Sequence, residues 1–418
     1  MRGAFQGGMA LYDQMTAYND PIETDFWKPA RTTARGVMRH DASRAQRGLT
    51  LYTSGHAQQA DLIDMSGSVV HRWSLPYSRL WEKGAAVGKP RPDPFIHIEK
   101  AHAFPNGDLL ALYTAAGDTP WGYGLAKLDK DSNIIWKYLA HAHHDFAFDS
   151  AGNIFVLTHE ISKADIPGFK HLKKPRIDDF IVKLSPDGRE LKKMWLTGAF
   201  VQSSFGRRRF DRERLNLIPN IETGDYLHAN SVHVLGKAVP GIPQSRPGHV
   251  LVSMREISTI ALVDVESSKV VWATSGQWIR QHDAEFLADG RLLLFDNEGD
   301  PNDLGSRVLE IDPATFKVKW SYGGRADQPL DSAARASQSR LANGNTLIAE
   351  SYAGRLLEVT REGDVVWEFI NPVRGGPQQD RIPIIHWAER VDPKNYFTPA
   401  FIADLDLKDV PSKTATHP

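Results

Sequence analysis

At 418 residues, with 50 Lys and Arg against 51 Asp and Glu, the chain has a net charge of −1 and no electrostatic reason to bind nucleic acid or an anionic membrane. It has no cysteine, which excludes thiolate catalysis, iron–sulfur chemistry, cysteine-ligated zinc and disulfides. No apolar run reaches the roughly 18 residues of a membrane span.

In chain order, the amino terminus MRGAFQGG lacks the apolar core of a signal peptide. The chain is therefore expected either to be cytosolic or to follow an export or anchor segment upstream. Residues 1–48 show no strand–turn–strand alternation and read as an amino-terminal extension that wraps or docks. From there to residue 403 one pattern recurs six times: an apolar strand, a polar turn, and an apolar strand ending in tryptophan. The copies are ADLIDMSGSVVHRW, LAKLDKDSNIIWKY, IVKLSPDGRELKKMW, IALVDVESSKVVW, VLEIDPATFKVKW and LLEVTREGDVVW, carrying Trp73, Trp136, Trp195, Trp272, Trp320 and Trp367. Alternation around Asp-Gly, Asp-Ser or Glu-Gly turns is the mark of an antiparallel hairpin.

Each hairpin follows another strand pair, as in HAFPNGDLLALY (102–113) and HDAEFLADGRLLLFDN (282–297). Two hairpins make a four-stranded blade, so residues 49–403 are predicted to form an all-β, six-bladed β-propeller. The insertions at 160–178, 199–224 and 236–248 are expected to project from one rim. Residues 404–418 form a polar tail with Pro411 and Pro418, expected to be loosely held.

The first strand of a propeller blade lines the channel, so residues at equivalent positions converge on the axis. His144 and His282 each stand eight residues before a turn glycine (Gly152, Gly290) and each is followed by Asp. His228 opens the similar stretch HANSVHVL, and Arg255 ends the apolar run of its partner strand. A single histidine at a strand start commonly serves a turn or the core. Three in register, with a guanidinium, predict a binding or catalytic cluster. His141, His143 and His144 form a run able to chelate a metal, but alternate residues of a strand face opposite ways, so not all share one site.

Other motifs fail. GAAVGKP (84–90) is one residue short of a P-loop and lacks its Ser/Thr, and His159-Glu160 has no second histidine at metalloprotease spacing. There is no Gly-x-Ser-x-Gly elbow and no dinucleotide fingerprint.

The segments HHDF (143–146), LHANSV (227–232), SMREIST (253–259) and QHDAEFLADGRLLLFDNEG (281–299) resemble the bacterial aryl-sulfate sulfotransferases over roughly residues 50–400. The resemblance implies a six-bladed propeller that moves a sulfuryl group from an aryl sulfate to a phenol, with ping-pong kinetics and no nucleotide donor. It makes His282 the nucleophile that is transiently sulfated, and His144 the second histidine of the sulfate pocket. His228 and Asn230 match ligands of substrate oxygens, and Arg255 matches the clamp on the sulfuryl oxygens. His143, inside HHDF, is counted with Asn230 as substrate-binding. A periplasmic or other extracytoplasmic setting is implied, with no cofactor, metal or nucleic-acid partner.

A neutral imidazole is a competent nucleophile, and transfer of an anionic group is governed by positioning and preorganised donors. His228 is favoured as general acid on the leaving phenolate and general base on the acceptor. Glu256 stands where the family commonly has histidine, and strand alternation predicts that it faces away from Arg255. Two alternatives stay open: a hydrolase or lyase using the same anion pocket, and a non-catalytic propeller that binds an anion or a partner. Natural donor, natural acceptor and oligomeric state leave no readable signal.

Overall fold

The repeated hairpins pair locally and then stack. The computed structural model describes residues 18–118, 120–213, 224–299 and 305–407, and in it six antiparallel sheets, five of four strands and one of five, form a six-bladed β-propeller. Parts of the predicted segments, namely residues 1–17 of the extension, 214–223 of the second insertion and 408–418 of the tail, lie outside the described residues. No helix among the described residues is long and apolar enough to cross a membrane.

Blades 2 to 5 run from the axis outward in chain order. Their innermost strands are Ile96–Ala103, Ala142–Phe148, Ala229–Val234 and His282–Phe286. Blade 6 begins at Ser337–Arg340 and gains a fifth, outer strand from the amino-terminal segment Gly36–His40, paired with Val365–Ile370. Blade 1 is built from both ends of the ring. Its inner strand is Ile385–Val391, and Leu49–Ser54, Gln59–Ile63 and Val69–Ser74 complete it. The carboxy-terminal strand therefore locks the ring shut. The chain stays docked beyond that strand, with Phe401 and Leu405 buried among blades 1 and 2 and the Asp406 N–H donating to the Val70 carbonyl.

Second and third strands are buried on both faces because each lies between two neighbouring blades. Leu109–Ala115 is buried throughout, whereas the fourth strand Ile134–Tyr138 is partly exposed. Among the described residues six apolar clusters lie one at each interface between consecutive blades, and a seventh joins Phe26 and Trp27 to Ala116 and Ile384.

All six repeat tryptophans sit on fourth strands. Four of them donate an indole N–H to a turn carbonyl of the next blade: Trp73 to Gly107 (2.9 Å), Trp136 to Pro186 (3.2 Å), Trp320 to Arg361 (2.8 Å) and Trp367 to Met65 (3.0 Å). The turn at Gly188 needs glycine twice over, for its φ of +83° and because a Cβ would lie 2.6 Å from the Trp136 ring.

The three insertions do not share a rim. The one at 160–178 joins a second strand to a third, and the described residues 199–213 and 224 belong to the link from one blade to the next, which puts both at the end where inner strands begin. The 236–248 insertion joins the first and second strands of blade 4 and so lies at the opposite end, where Gly241 packs on Ala314. Successive connections in an up-and-down sheet alternate ends, a constraint that overrides insertion length.

Candidate active site

Inner strands of a propeller run close to the axis, and here five of the six break register near the same level. The shifts fall between Ile98 and Lys100, His143 and Phe146, Ala229 and Ser231, His282 and Glu285, and Ile385 and Trp387. A bulge frees residues from the ladder and re-aims their side chains. The released residues include Glu99, His144, Asn230, Asp283 and His386, all of which line an inner pocket of about 40 Å³. His144 (φ +57°), His228 (φ +50°) and Asp283 (φ +50°) hold left-handed backbone conformations, which are costly for side-chain-bearing residues and concentrate at functional sites.

Above this pocket a wider cavity of about 280 Å³ opens at the end where inner strands begin. His144, His228, Arg255 and His282 all line it, together with Arg335 and Trp121. The four residues expected to carry chemistry are thus brought together.

His282 is fixed by Asn297, the residue just past the end of the second strand Leu292–Asp296. The Asn297 Nδ2 group donates to the carbonyls of Ser332 (2.6 Å) and Arg335 (2.8 Å), so its Oδ1 accepts from His282 Nδ1–H at 2.7 Å. Nε2 then carries the lone pair, and it accepts the Arg335 backbone N–H at 3.1 Å. Burial, reinforced by Arg255, holds the imidazole well below its ordinary pKa and hence neutral.

His228 Nδ1 meets Asp225 Oδ2 at 2.5 Å, and its ring stacks on Trp121 with centroids 5.2 Å apart. Burial opposes ionisation of Asp225, yet His228 and Arg255 together hold its carboxyl below the usual range. The His144 ring lies 5.0 Å from that of His228, and its backbone N–H donates to Glu99 Oε2 at 2.9 Å.

Arg255 belongs to the turn after Val250–Met254. Its backbone N–H donates to the His228 carbonyl, which ties the two backbones together. Glu256 does not face away as alternation predicted, because the strand has already ended. Its carboxylate bridges Arg255 Nη1 (2.9 Å) and Arg280 Nη2 (3.1 Å). The Arg255 Nε–H is buried without an acceptor among the described residues.

The two residues read as substrate-binding fare differently. Asn230 lines the inner pocket and donates to the Gln281 carbonyl, linking blades 4 and 5. His143 does not line the cavity. It is fully buried behind His144, whose Nδ1 lies 2.7 Å from its own, and it stacks on His159.

Sequence reasoning missed several groups. Arg335 supplies a second guanidinium, paired with Asp25 of the amino-terminal segment at 2.9 Å and lying over the Phe26 ring. It precedes the inner strand of blade 6, one residue out of the register that found His144 and His282, and the offset hides it. Asp225 is visible only as an acid three residues before His228. Asn297 stands inside the Leu-Phe-Asp-Asn segment but shows its role only through its bonds.

Residues 100–372 match the family described as Arylsulfotransferase (ASST), a stretch that includes His144, His228, Arg255 and His282. The chain belongs to the arylsulfotransferase family. No curated protein matches it in sequence. Among solved structures, a Bacteroides caccae protein of unknown function is similar over 83% of this chain and 99% of its own, with 14% identity and a TM-score of 0.51. A streptogramin B lyase (12% identity, 87% and 97% of the two chains, TM-score 0.42) also matches. So does a virginiamycin B lyase from Staphylococcus aureus (10%, 85% and 99%, TM-score 0.41). At such identities the first likeness concerns the fold alone, and the two lower scores add nothing to it. The functional argument for this arylsulfotransferase family member rests on its family and on its own cavity.

Proposed function

We propose that the protein transfers a sulfuryl group from an aryl sulfate to a phenolic acceptor through a sulfohistidine on His282. The observation that carries this reading is the fixed tautomer of His282, whose neutral Nε2 lone pair shares one cavity with two guanidinium groups and the His228–Asp225 pair. Arg255 and Arg335 suit the sulfuryl oxygens, and the rings of Trp121, Phe26 and Tyr352 suit an aryl group.

In the first half-reaction the Nε2 lone pair forms an N–S bond as the S–O bond to the aryl group breaks, and His228 gives its Nε2 proton to the departing phenolate. In the second, the acceptor hydroxyl returns a proton to His228 while its oxygen takes the sulfuryl group, and Nε2 recovers its lone pair. The Arg335 amide keeps Nε2 an acceptor at rest and yields as sulfur approaches. Asp225 offsets the charge His228 carries while it holds the proton. The family resemblance further supports an extracytoplasmic, periplasmic setting.

Incubation with 4-nitrophenyl sulfate, with and without added phenol, tests the reaction. Sustained nitrophenol release that needs the phenol supports transfer. Equal release without it indicates hydrolysis, and no release in either case removes the proposal.

A further inference from the structure

Behind His144, on the side away from the cavity, the first three strands of blade 3 bring His143, His159 and Asp179 together. All three are buried, at 0%, 0% and 1% exposure, and one donor atom from each falls within 4.8 Å of the others. We propose that these residues hold a divalent cation of zinc's chemical type, in a site separate from the one that binds substrate.

Two nitrogens point to a missing ligand. His143 Nε2 and His159 Nδ1 are both buried with no hydrogen-bond partner among the described residues, a costly condition that native interiors avoid. His143 Nε2 stands 3.6 Å from Asp179 Oδ1, too long for a good hydrogen bond and close to the separation of two ligands on one small cation. The outward atoms are held: His143 Nδ1 by His144 (2.7 Å), Asp179 Oδ2 by the Ala229 N–H (3.0 Å) and His159 Nε2 by the Gly122 N–H (3.3 Å). The bonds at His143 and Asp179 are of the kind that orient metal ligands. The Gly122 contact has the opposite polarity to a metal-bound imidazole, so loading moves the His159 proton to Nε2 and gives up that long bond.

Two imidazoles and one carboxylate, with no thiolate and no cluster of oxygens, suit zinc better than calcium or magnesium. A cation on His143 Nε2 leaves the His143 proton on Nδ1, donating to His144 Nδ1. The other nitrogen of His144 is then an N–H donor, which, if the transfer reading holds, serves the sulfuryl oxygens.

The test is metal content, which does not depend on activity. Full-length protein expressed in zinc-supplemented medium and gel-filtered is analysed by plasma mass spectrometry beside His159→Ala, Asp179→Asn, His282→Ala and His249→Ala. The expected result is about one zinc per chain in wild type, His282→Ala and His249→Ala, with loss of at least about fivefold in the other two. Cobalt substitution of the wild type should give visible absorption, which His282→Ala retains. Zinc-free wild-type protein that also fails to take up cobalt overturns the proposal, whether or not the variants fold. Metal retained equally by His159→Ala and Asp179→Asn, or lost with His282→Ala, overturns it as well.

Discussion

The two nitrogens of His282 do different work. Nδ1–H is spent on Asn297, and Nε2 keeps the lone pair that accepts the Arg335 N–H and that the proposed reaction uses. Asn297→Ala keeps the imidazole but leaves that buried N–H with only the more distant Arg280 carbonyl, at 3.2 Å. Loss of such a partner costs about 1–3 kcal/mol, and both tautomers become accessible. The expected outcome is a kcat about 10-fold to 100-fold lower with KM little changed, read from steady-state kinetics with 4-nitrophenyl sulfate. A larger change in KM than in kcat would show that Asn297 serves binding instead. Asp225→Asn removes the charge opposite His228 and should slow turnover at least about 100-fold. The loss should be smaller for donors with acidic leaving groups, which need less proton delivery. An equal loss across a series of substituted phenyl sulfates would contradict the assignment of His228. His144→Ala, His228→Ala and Arg255→Ala should abolish turnover while leaving the ring folded, as circular dichroism can check.

At the scale of the element, the tryptophan hairpin is the unit that made the fold legible. Its alternation and its turn residues are local properties, and six copies imply a ring. The bulges that aim Glu99, Asn230 and His386 at the axis are invisible in the sequence, because a register shift depends on the partner strand and leaves no fixed residue pattern. Register counted from turn glycines found His144 and His282 and missed Arg335 by one position. Glu256 was misplaced for a related reason, since strand alternation was carried past Met254, where the strand ends. Trp367 tests the hairpin's structural role. It is fully buried and joins blade 6 to blade 1 through Met65. Trp367→Ala should destabilise the fold by about 3–5 kcal/mol, measured by denaturant titration, with the specific activity of the folded fraction kept. A loss under 1 kcal/mol would deny that these tryptophans hold the blades together.

For the whole molecule, the histidines in and around the channel are kept neutral by burial. His97 is pushed down to about 3 and His233 to about 4, and His282 and His386 lie well below their usual value. Each binds a proton more readily when unfolded, so stability is full above about pH 6.5 and is lost on acidification below it. The slope is up to about 1.4 kcal/mol per pH unit for each group. Buried carboxyls that are held up act in the opposite sense, among them Glu99, Asp145, Asp283, Glu285 and Asp296. Asp283 is raised to about 6 and Glu285 to about 8, chiefly by burial, and each loses stability as pH rises toward those values. Histidines held down by burial outnumber carboxyls held up by it, so the melting temperature should peak near the ordinary histidine value of about 6.5. It should fall steeply toward pH 5 and gently toward pH 8, as scanning calorimetry can follow. A melting temperature unchanged or rising toward pH 5 would contradict the neutral histidine core.

The account turns on a covalent bond between sulfur and one imidazole. Intact-mass spectrometry of the protein mixed with 4-nitrophenyl sulfate in the absence of acceptor, followed by peptide mapping, reads that bond directly. The prediction is one added sulfuryl group per chain, located on His282, discharged by phenol and missing from His282→Ala. Turnover by the wild type with no adduct at any time, or an adduct that persists in His282→Ala, would contradict it.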